Sequence, residues 1–528
     1  MSLTLQSAAR LLTEHHLLRE IIAGDLWTLD ATQVDGSDRP FADITYDTRT
    51  VAAGSLLCCK GRFKAEYLNG IDERGLAAYV AEADFSSATH APGLIVNDAR
   101  KAMSLLAAEF FGRPQDELTV IGITGTKGKT TTSYFTQAVL NAYSDGRCAL
   151  FSSVDNCLDG HTYVESDLTT PENLDAFRMM RTAVDNGMRY LVMEVSSQAY
   201  KVDRVYGLTF DVGAFLNISP DHISPIEHPS FEDYLYCKRQ IVANARTLVY
   251  GADMDHADLV RQDAAAHGIA AHAFALHNDG KDSGTPAEAA AWPIDAAHSA
   301  YHIALDGVDL GEYRLALDGD FNYLNAAAAV AIAHAAGVPA DAAEALHAME
   351  PVRIAGRMEQ FRDPQSNTIA IVDYAHNYAS VTALLDFVDE RYGAQNPRIT
   401  LVTGSAGNKA YDRRKEIVEA AEHRIHNFIF TAEDTDTEPF IDICMEMQSY
   451  ITVPGMASTV ISDRPTAVTN AIYDARAHAD RFNIILIIGK GDERWIKEHN
   501  KHVPFEGDDR IVERMFGVTT GDARPDAK

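Results

Sequence analysis

The sequence predicts an α/β protein of three domains with mainly parallel sheets, and three observations carry that prediction. Short apolar runs alternate with helical patterns along the chain, and each run ends in a turn or glycine signal. One run passes directly into a glycine loop and a helix start, the mark of a nucleotide-binding sheet.

In chain order, the first domain is expected to span 1–113. Its opening, Met1 to Gly24, reads as a charged amphipathic helix carrying Arg10, Glu14, Arg19 and Glu20, without the apolar stretch or cleavage site of a signal peptide. It contains Asp47-Thr48-Arg49 and closes on the helix-like run Ala102 to Phe111, before Gly112-Arg113-Pro114.

The second domain, 114–350, begins with the apolar run Leu118 to Ile123, followed by Thr124-Gly125-Thr126-Lys127-Gly128-Lys129-Thr130-Thr131. Strand, glycine turn and helix N-terminus in that order aim several backbone N–H groups and the positive end of a helix dipole at one spot, which suits phosphates. Lys129 adds a mobile positive charge, and Thr130 offers a hydroxyl to magnesium. The usual loop has a glycine where Ile123 stands, so this one is a variant with a shorter lead-in. Residues 254–300, rich in Ala, Asp and His, are expected to form peripheral helices and loops. The third domain, 351–528, contains the strand-like runs Thr368 to Val372, Ile399 to Val402, Phe428 to Phe430 and Ile484 to Ile488.

Composition excludes several classes. At 528 residues and 46% apolar content the chain buries a large core, and 46 basic against 76 acidic residues leave a formal charge of −30. That balance opposes generic binding to nucleic acid or an anionic membrane, so an anionic substrate must be held by local cations. The six cysteines show no metal-ligand spacing and fit free thiols in a reducing cytosol. No segment reaches the roughly 18 to 20 continuous apolar residues that span a bilayer. A cytoplasmic protein without membrane partners is expected.

Ligands gather at the carboxyl ends of strands in open α/β sheets, so residues just after the apolar runs are the candidates for chemistry. Glu194 follows Tyr190-Leu191-Val192-Met193 and suits either a magnesium ligand or an acidic strand cap; His222, in Asn217-Ile218-Ser219-Pro220-Asp221-His222, is a second ligand or a hydrogen-bonding histidine. Lys238, among apolar neighbours on a helical pattern, reads by itself as a snorkelling lysine. Asp373, after the run Thr368 to Val372, suits ribose hydroxyls, while Arg357 in Gly356-Arg357-Met358-Glu359 suits either a transferring phosphoryl group or a surface ion pair.

Together these motifs resemble the Mur ligase family over nearly the whole chain: Gly125 to Thr130, Glu194-Val195-Ser196-Ser197, Asn217 to His222, Tyr234 with Lys238, Gly319 with Asn322 and Asn325, Gly356 to Glu359, Asp373-Tyr374-Ala375-His376, and Gly489-Lys490-Gly491-Asp492-Glu493. Folylpolyglutamate synthetases share the ATP loop but lack the N-terminal domain. Within the family the chain looks most like the branch that adds the third stem-peptide residue to UDP-N-acetylmuramoyl-L-alanyl-D-glutamate. Asp47-Thr48-Arg49 with Val51, Gly54 and Leu56 resembles its uridine-binding domain, and Thr169-Thr170-Pro171 its muramoyl-dipeptide loop.

The resemblance implies ATP-driven amide formation through an acyl phosphate, with ATP and Mg2+. By the same resemblance Gly125, Thr126, Lys127, Gly128, Lys129, Thr130, Thr131, Asn325, Arg357, Asp373 and His376 hold ATP, and Thr130, Glu194 and His222 hold the metal. Lys238 corresponds to the family's carbamylated lysine, and Thr48, Thr169, Thr170, Ser196 and Arg204 map to the UDP-muramoyl dipeptide. Lys129, Lys238, Glu194, His222 and Arg357 are the expected catalytic set. Arg357 and Asp373 would come from the C-terminal domain, so catalysis implies domain closure.

Relatives that use meso-diaminopimelate carry an Asp-Asn-Pro-Arg motif, whose arginine pairs with the substrate's distal carboxylate. Here the stretch reads Glu433-Asp434-Thr435-Asp436, anions in place of a cation, which favours a side-chain ammonium. L-lysine is therefore expected, with L-ornithine one methylene away. The alternative is that the acidic run is a solvated loop that does not read the side chain, which leaves meso-diaminopimelate open. Asp434 and Asp436 would face the side chain, Arg414 or its neighbour Arg413 the α-carboxylate, and Glu493 the α-amine. The expected protein is a monomer acting on these small molecules. A non-catalytic sensor of UDP-sugar peptides or ATP is the alternative from another class, and the intact Lys129, Glu194, His222, Lys238 and Arg357 argue against it.

Overall fold

A computed structural model describes residues 3–224, 227–278, 284–295 and 298–518. Three large sheets follow one another along the chain. The first has the strand order Leu26–Thr28, Leu18–Ala23, Gly93–Val96, Ala78–Ala81, Ser55–Cys59, Asp43–Thr45. The expected helix over Met1 to Gly24 is shorter than its charge pattern suggested. The helix Leu5–Glu14 starts on a Thr4–Ser7 capping box, and His16 turns the chain through a positive φ of 57°. Leu18–Ala23 then pairs antiparallel with Gly93–Val96, burying the β-branched Ile21 and Ile22.

The central sheet has eleven strands among the described residues. Its middle seven, Cys148–Phe151 through Ala289–Pro293, run parallel, and antiparallel strands close both edges. The expectation for residues 254–300 is corrected here. The helix Ala257–His267 is peripheral, but Ala270–Leu276 and Ala289–Pro293 are strands of the main sheet. Alanine hides the alternation of a strand, yet its small side chain lets the sheet lie close to the buried, alanine-rich helix Asp320–Ala335.

The strand Thr119–Thr124 lies in the middle of this sheet, between Tyr190–Glu194 and Phe210–Phe215. Glu194 pairs with Ile123 and Phe215 with Thr124, so three strands end level and deliver Gly125, Val195 and Leu216 to one edge.

The third sheet has the order Glu359–Arg362, Thr368–Asp373, Asn483–Ile488, Arg398–Thr403, Asn427–Phe430, Ala457–Val460, and only its first strand is antiparallel. Asp373 pairs with Ile488 and Thr403 with Phe430, again aligning carboxyl ends. A fully buried pair, Arg464 with Asp508 at 2.7 Å, braces that edge. The Arg464 guanidinium also donates to the carbonyls of Ile488 (2.7 Å) and Ala432 (3.1 Å), the residues just before Gly489 and Glu433.

Among the described residues no helix is long and apolar enough to cross a membrane. All six cysteines are unpaired and buried.

Candidate active site

The carboxyl edges of the central and third sheets face one cavity of about 440 Å³. From the central domain it is lined by Thr126 to Thr131, Thr169, Glu194, His222 and Asn325, and from the C-terminal domain by Arg357, Asp373, His376, Asp434 and Glu493. Most of the residues singled out in the sequence therefore meet in one place, although they span more than three hundred positions of chain.

The phosphate loop owes its shape to Gly128. This residue caps the helix Lys129–Ser144 at φ 81°, and a Cβ there would collide with the Asn325 side chain. Asn217 clasps the loop from the neighbouring strand end, accepting from the Lys127 N–H at 2.9 Å and donating to its carbonyl at 3.1 Å. The Lys129 ammonium reaches the carbonyls of Gly125 (2.9 Å) and Thr126 (3.3 Å), and burial lowers its pKa. The Lys127 amine is pushed down to about 8, chiefly by burial.

Oxygen donors converge beside the loop. The Thr130 and Ser153 hydroxyls lie 3.0 Å apart, and Glu194 Oε1 accepts from Ser153 N–H (2.9 Å) and Oγ (3.2 Å). A hydroxyl and a carboxylate next to a phosphate loop suit a hard divalent cation such as Mg2+. His222 contacts Glu227 through Nδ1 at 3.0 Å, which leaves Nε2 as its other ring donor or ligand. Ser153 was not anticipated, because Ser152-Ser153 carries no motif of its own.

Lys238 is not a snorkelling lysine. Its side chain is buried, with Nζ 2.7 Å from the Gly125 carbonyl and 5.0 Å from the Tyr234 ring centre. Burial, and then the nearby Lys129, press its pKa far below the usual lysine range. A neutral amine is the form that can take up CO2.

On the opposite wall Gly356, at φ 66°, abuts the backbone of Gly491 and Asp492. It turns the chain so that the Arg357 guanidinium lies 4.5 Å over the Tyr374 ring. Asp373 is held by the N–H groups of Met358 (2.8 Å) and Ala375 (2.7 Å), and burial raises its pKa. His376 Nδ1 contacts the Tyr374 carbonyl at 2.7 Å, and burial pushes its pKa well down.

Of the residues mapped to the muramoyl substrate only Thr169 lines the cavity; Thr170, Ser196 and Arg204 cluster beyond the end of the strand Tyr190–Glu194, and Thr48 lies in the first domain. Thr170 Oγ1 donates to the Glu194 carbonyl at 2.9 Å and accepts from Ser196 N–H at 3.0 Å. Arg204 binds Glu172 at 3.1 Å and the Thr170 carbonyl at 3.2 Å, and Lys60 of the first domain also pairs with Glu172. Thr48 opens a short helical turn whose carbonyl accepts from Arg74 at 2.9 Å.

Two expected amino-acid contacts are corrected. Arg414 is buried away from the cavity, with one guanidinium nitrogen on Glu438 (2.7 Å) and another on Glu446 (2.6 Å). It faces the helix Phe440–Ser449, whereas Arg413, one position earlier, faces the cavity. Asp436 binds Lys497 (3.2 Å) and the Asn500 N–H (3.0 Å) of the hairpin Trp495–Pro504. Asp434 does line the cavity but already accepts from Lys490 (2.7 Å) and Lys497 N–H (2.9 Å).

The cavity holds two other charged side chains, Arg413, the alternative to Arg414 in the sequence, and Glu433, which opens the acidic stretch but carried no expected contact of its own. Glu433 Oε2 and Arg413 Nε are buried, line the same space and have no hydrogen-bond partner. Burial, reinforced by Asp434, raises the Glu433 carboxyl. Arg413 also donates to Asp221 at 2.7 Å, and Asn377 donates to the same carboxylate at 3.0 Å, joining the C-terminal domain to the central one. Burial alone would raise Asp221, but Arg413 and Lys127 outweigh it and hold the carboxyl low.

A phosphate loop on one α/β domain, faced by Arg357, Arg413 and the unpartnered carboxylate oxygen of Glu433 on a second and flanked by a third, is the architecture of a nucleotide-dependent ligase. Comparison with known proteins makes the class specific. Residues 123–333 match the Mur ligase middle domain, and residues 356–491 match the Mur ligase glutamate ligase domain. The chain is 77% identical to UDP-N-acetylmuramyl-tripeptide synthetase of Bifidobacterium longum, over 98% of this chain and 100% of the relative. It is 37% identical to UDP-N-acetylmuramoyl-L-alanyl-D-glutamate–L-lysine ligase of Enterococcus faecalis, over 98% and 99%. A solved UDP-N-acetylmuramoyl-L-alanyl-D-glutamate–2,6-diaminopimelate ligase shares the fold, with TM-score 0.62 and 20% identity over 98% and 99% of the two chains. The chain belongs to the Mur ligase family.

Proposed function

We propose that this ligase joins L-lysine to UDP-N-acetylmuramoyl-L-alanyl-D-glutamate at the expense of ATP, in the cytoplasm and as a monomer. The observation that carries the reading is the single cavity in which Lys129 and Arg357 face Glu433 and Arg413. Cations at the phosphate loop and a charge pair of opposite sign in one space are what a reaction between a phosphorylated carboxylate and a zwitterionic amine requires.

A substrate carboxylate attacks the γ-phosphorus of ATP, ADP leaves, and the acyl phosphate is attacked by the α-amine of lysine. Phosphate departs with its oxygen, and the amine gives up a proton. Negative charge builds on two anions at once, and Lys129, the loop N–H groups and Arg357 offset it. Thr130, Glu194 and His222 would hold Mg2+, which supplies further charge neutralisation at the phosphates when bound. Lys238, neutral through burial, would take up CO2 and become an anion beside the loop. Arg413 would hold the substrate α-carboxylate, Glu493 the α-amine and Glu433 the side-chain ammonium.

The relative from Enterococcus carries the L-lysine name, which supports the same choice here. Phosphate release from ATP and UDP-muramoyl dipeptide with lysine, ornithine or meso-diaminopimelate tests it. Turnover fastest with lysine is expected. Preference for diaminopimelate would overturn the assignment of the amine, and no turnover with any of the three would overturn the ligase reaction itself.

A further inference from the structure

A second polar constellation lies behind the cavity wall, outside every role assigned above. His228 has a fully buried side chain, with Nδ1 2.6 Å from Asp233 Oδ2 and Nε2 2.9 Å from Ser197 Oγ. Burial lowers its pKa despite Asp233, so the neutral ring donates from Nδ1 to the carboxylate and accepts the Ser197 hydroxyl at Nε2. The three partners sit on separate elements. Ser197 begins a five-residue helix, Ser197–Lys201, directly after Glu194 and Ser196. Asp233 lies in the first turn of Phe231–Ala243, the helix that carries Lys238. The Tyr234 ring meets His228 edge-on at 5.3 Å, and its hydroxyl lies 3.1 Å from Thr126 Oγ1 in the phosphate loop.

We propose that Ser197, His228 and Asp233 form a positioning relay that locks the Glu194–Ser197 turn onto the Lys238 helix, so that the muramoyl-dipeptide contact at Ser196 is held in register with the phosphate loop. The inference rests on the proposed reaction for its substrate. A helix of five residues has little packing of its own to orient it, and a buried, fully partnered imidazole supplies that orientation. The serine is buried, as is the ring, so the array is not a nucleophilic triad open to substrate. Nor does it suit a cation. Cys237 offers a sulfur within 4.8 Å of the other donor atoms, but the Lys201 ammonium already sits 2.6 Å from Asp233, and burial holds the thiol neutral.

The test is steady-state kinetics of the full chain bearing Ser197→Ala, Asp233→Asn or both, with each fold checked by circular dichroism. Each single substitution is expected to raise KM for the UDP-muramoyl dipeptide about tenfold while KM for ATP stays within about twofold, since Glu194 is held in the sheet by its pairing with Ile123 and only the turn beyond it, with Ser196, shifts. The double variant should be no worse than either single one, because both break the same chain of bonds. Multiplicative effects in the double variant, or an unchanged dipeptide KM with kcat and thermal stability falling together, would overturn the relay. Should Asp233→Asn fail to fold, the Ser197→Ala dipeptide KM decides alone. Absence of wild-type turnover would instead strike the proposed reaction, which keeps the two failures apart.

Discussion

At the scale of single residues, environment decides charge. Lys238 and Glu433 are ordinary ionisable side chains in the sequence, yet burial pushes the lysine down and the carboxyl up. Each is thereby suited to a particular partner, CO2 for the neutral amine, which carbamylation turns into an anion, and an ammonium for the carboxyl, which draws it back to its ionised form. Two predictions belong here. Lys238→Met should lose at least about a hundredfold in kcat, as expected when a positioned charge is removed from the reacting centre, and wild-type activity should fall when CO2 is stripped from the buffer; 13C-bicarbonate labelling read by NMR checks for the carbamate. Glu433→Gln should lower kcat/KM for lysine about 10- to 100-fold, the usual cost of an unpaired buried charge, and leave diaminopimelate less affected. Because the Glu433 pKa is raised, the wild-type acid limb of kcat/KM for lysine should lie above the ordinary carboxylate range and be absent in the variant. A pH profile with each amine reads both effects.

At the scale of elements, adjacent arginines do different work because a helix turns each side chain by about 100°. Arg413 and Arg414 both sit in Asp412–Ala421, but the first points across the domain junction to Asp221 and the second into its own domain toward Glu438 and Glu446. Arg414→Met should therefore cost stability, about 3 kcal/mol from two carboxylates left without their cation, seen as a lowered thermal midpoint with an unchanged KM for lysine. Arg413→Met should do the reverse, raising the KM for lysine with a smaller change in the melt. Equal KM changes in both variants would show that the cavity-facing assignment is wrong. The pair also shows why this part of the site was hard to read. The Asp412-Arg413-Arg414 run has no spacing signal, and which arginine faces the cavity depends on helix phase, which only the packed domain defines.

At the scale of the whole molecule, the site exists only where domains meet. Asp221 of the central domain holds Arg413 and Asn377 of the C-terminal domain, and Gly356 turns Arg357 toward the phosphate loop. Asp221→Ala should loosen this junction and free Lys127 of the phosphate loop, which pairs with the same carboxylate at 3.6 Å, raising the radius of gyration in small-angle scattering and slowing turnover. A second prediction concerns Glu359, which follows the Gly356 turn and accepts from its N–H at 2.7 Å. Burial, with Asp509 and Asp492 behind it, pushes this carboxyl up to about 7 from an ordinary 4.5. The folded state thus holds the proton more tightly than the unfolded chain, so the contribution to stability is full below about pH 4.5 and is lost as pH rises through 7. Glu359→Gln should flatten that dependence and stabilise the protein at pH 8 by up to about 3 kcal/mol, measured as thermal midpoints across the pH range.

The sequence by itself determined the α/β class, the phosphate loop at Gly125 to Thr131 and the residues at strand ends such as Glu194 and Asp373, because these signals are local. A strand, a glycine turn and a helix start need only neighbours to be recognised. It did not disclose the strands hidden among the alanines of 270–293, where a small side chain erases the alternation on which recognition depends. Nor did it separate Glu433 from Asp434 and Asp436. All three are acidic and nearly adjacent, and only the packed hairpin Trp495–Pro504, with Lys490 and Lys497, shows that two carboxylates are already paired while the third faces the cavity alone. Residue type follows from the chain, but burial and partnership belong to the tertiary structure, because they depend on what distant segments bring within a few ångströms.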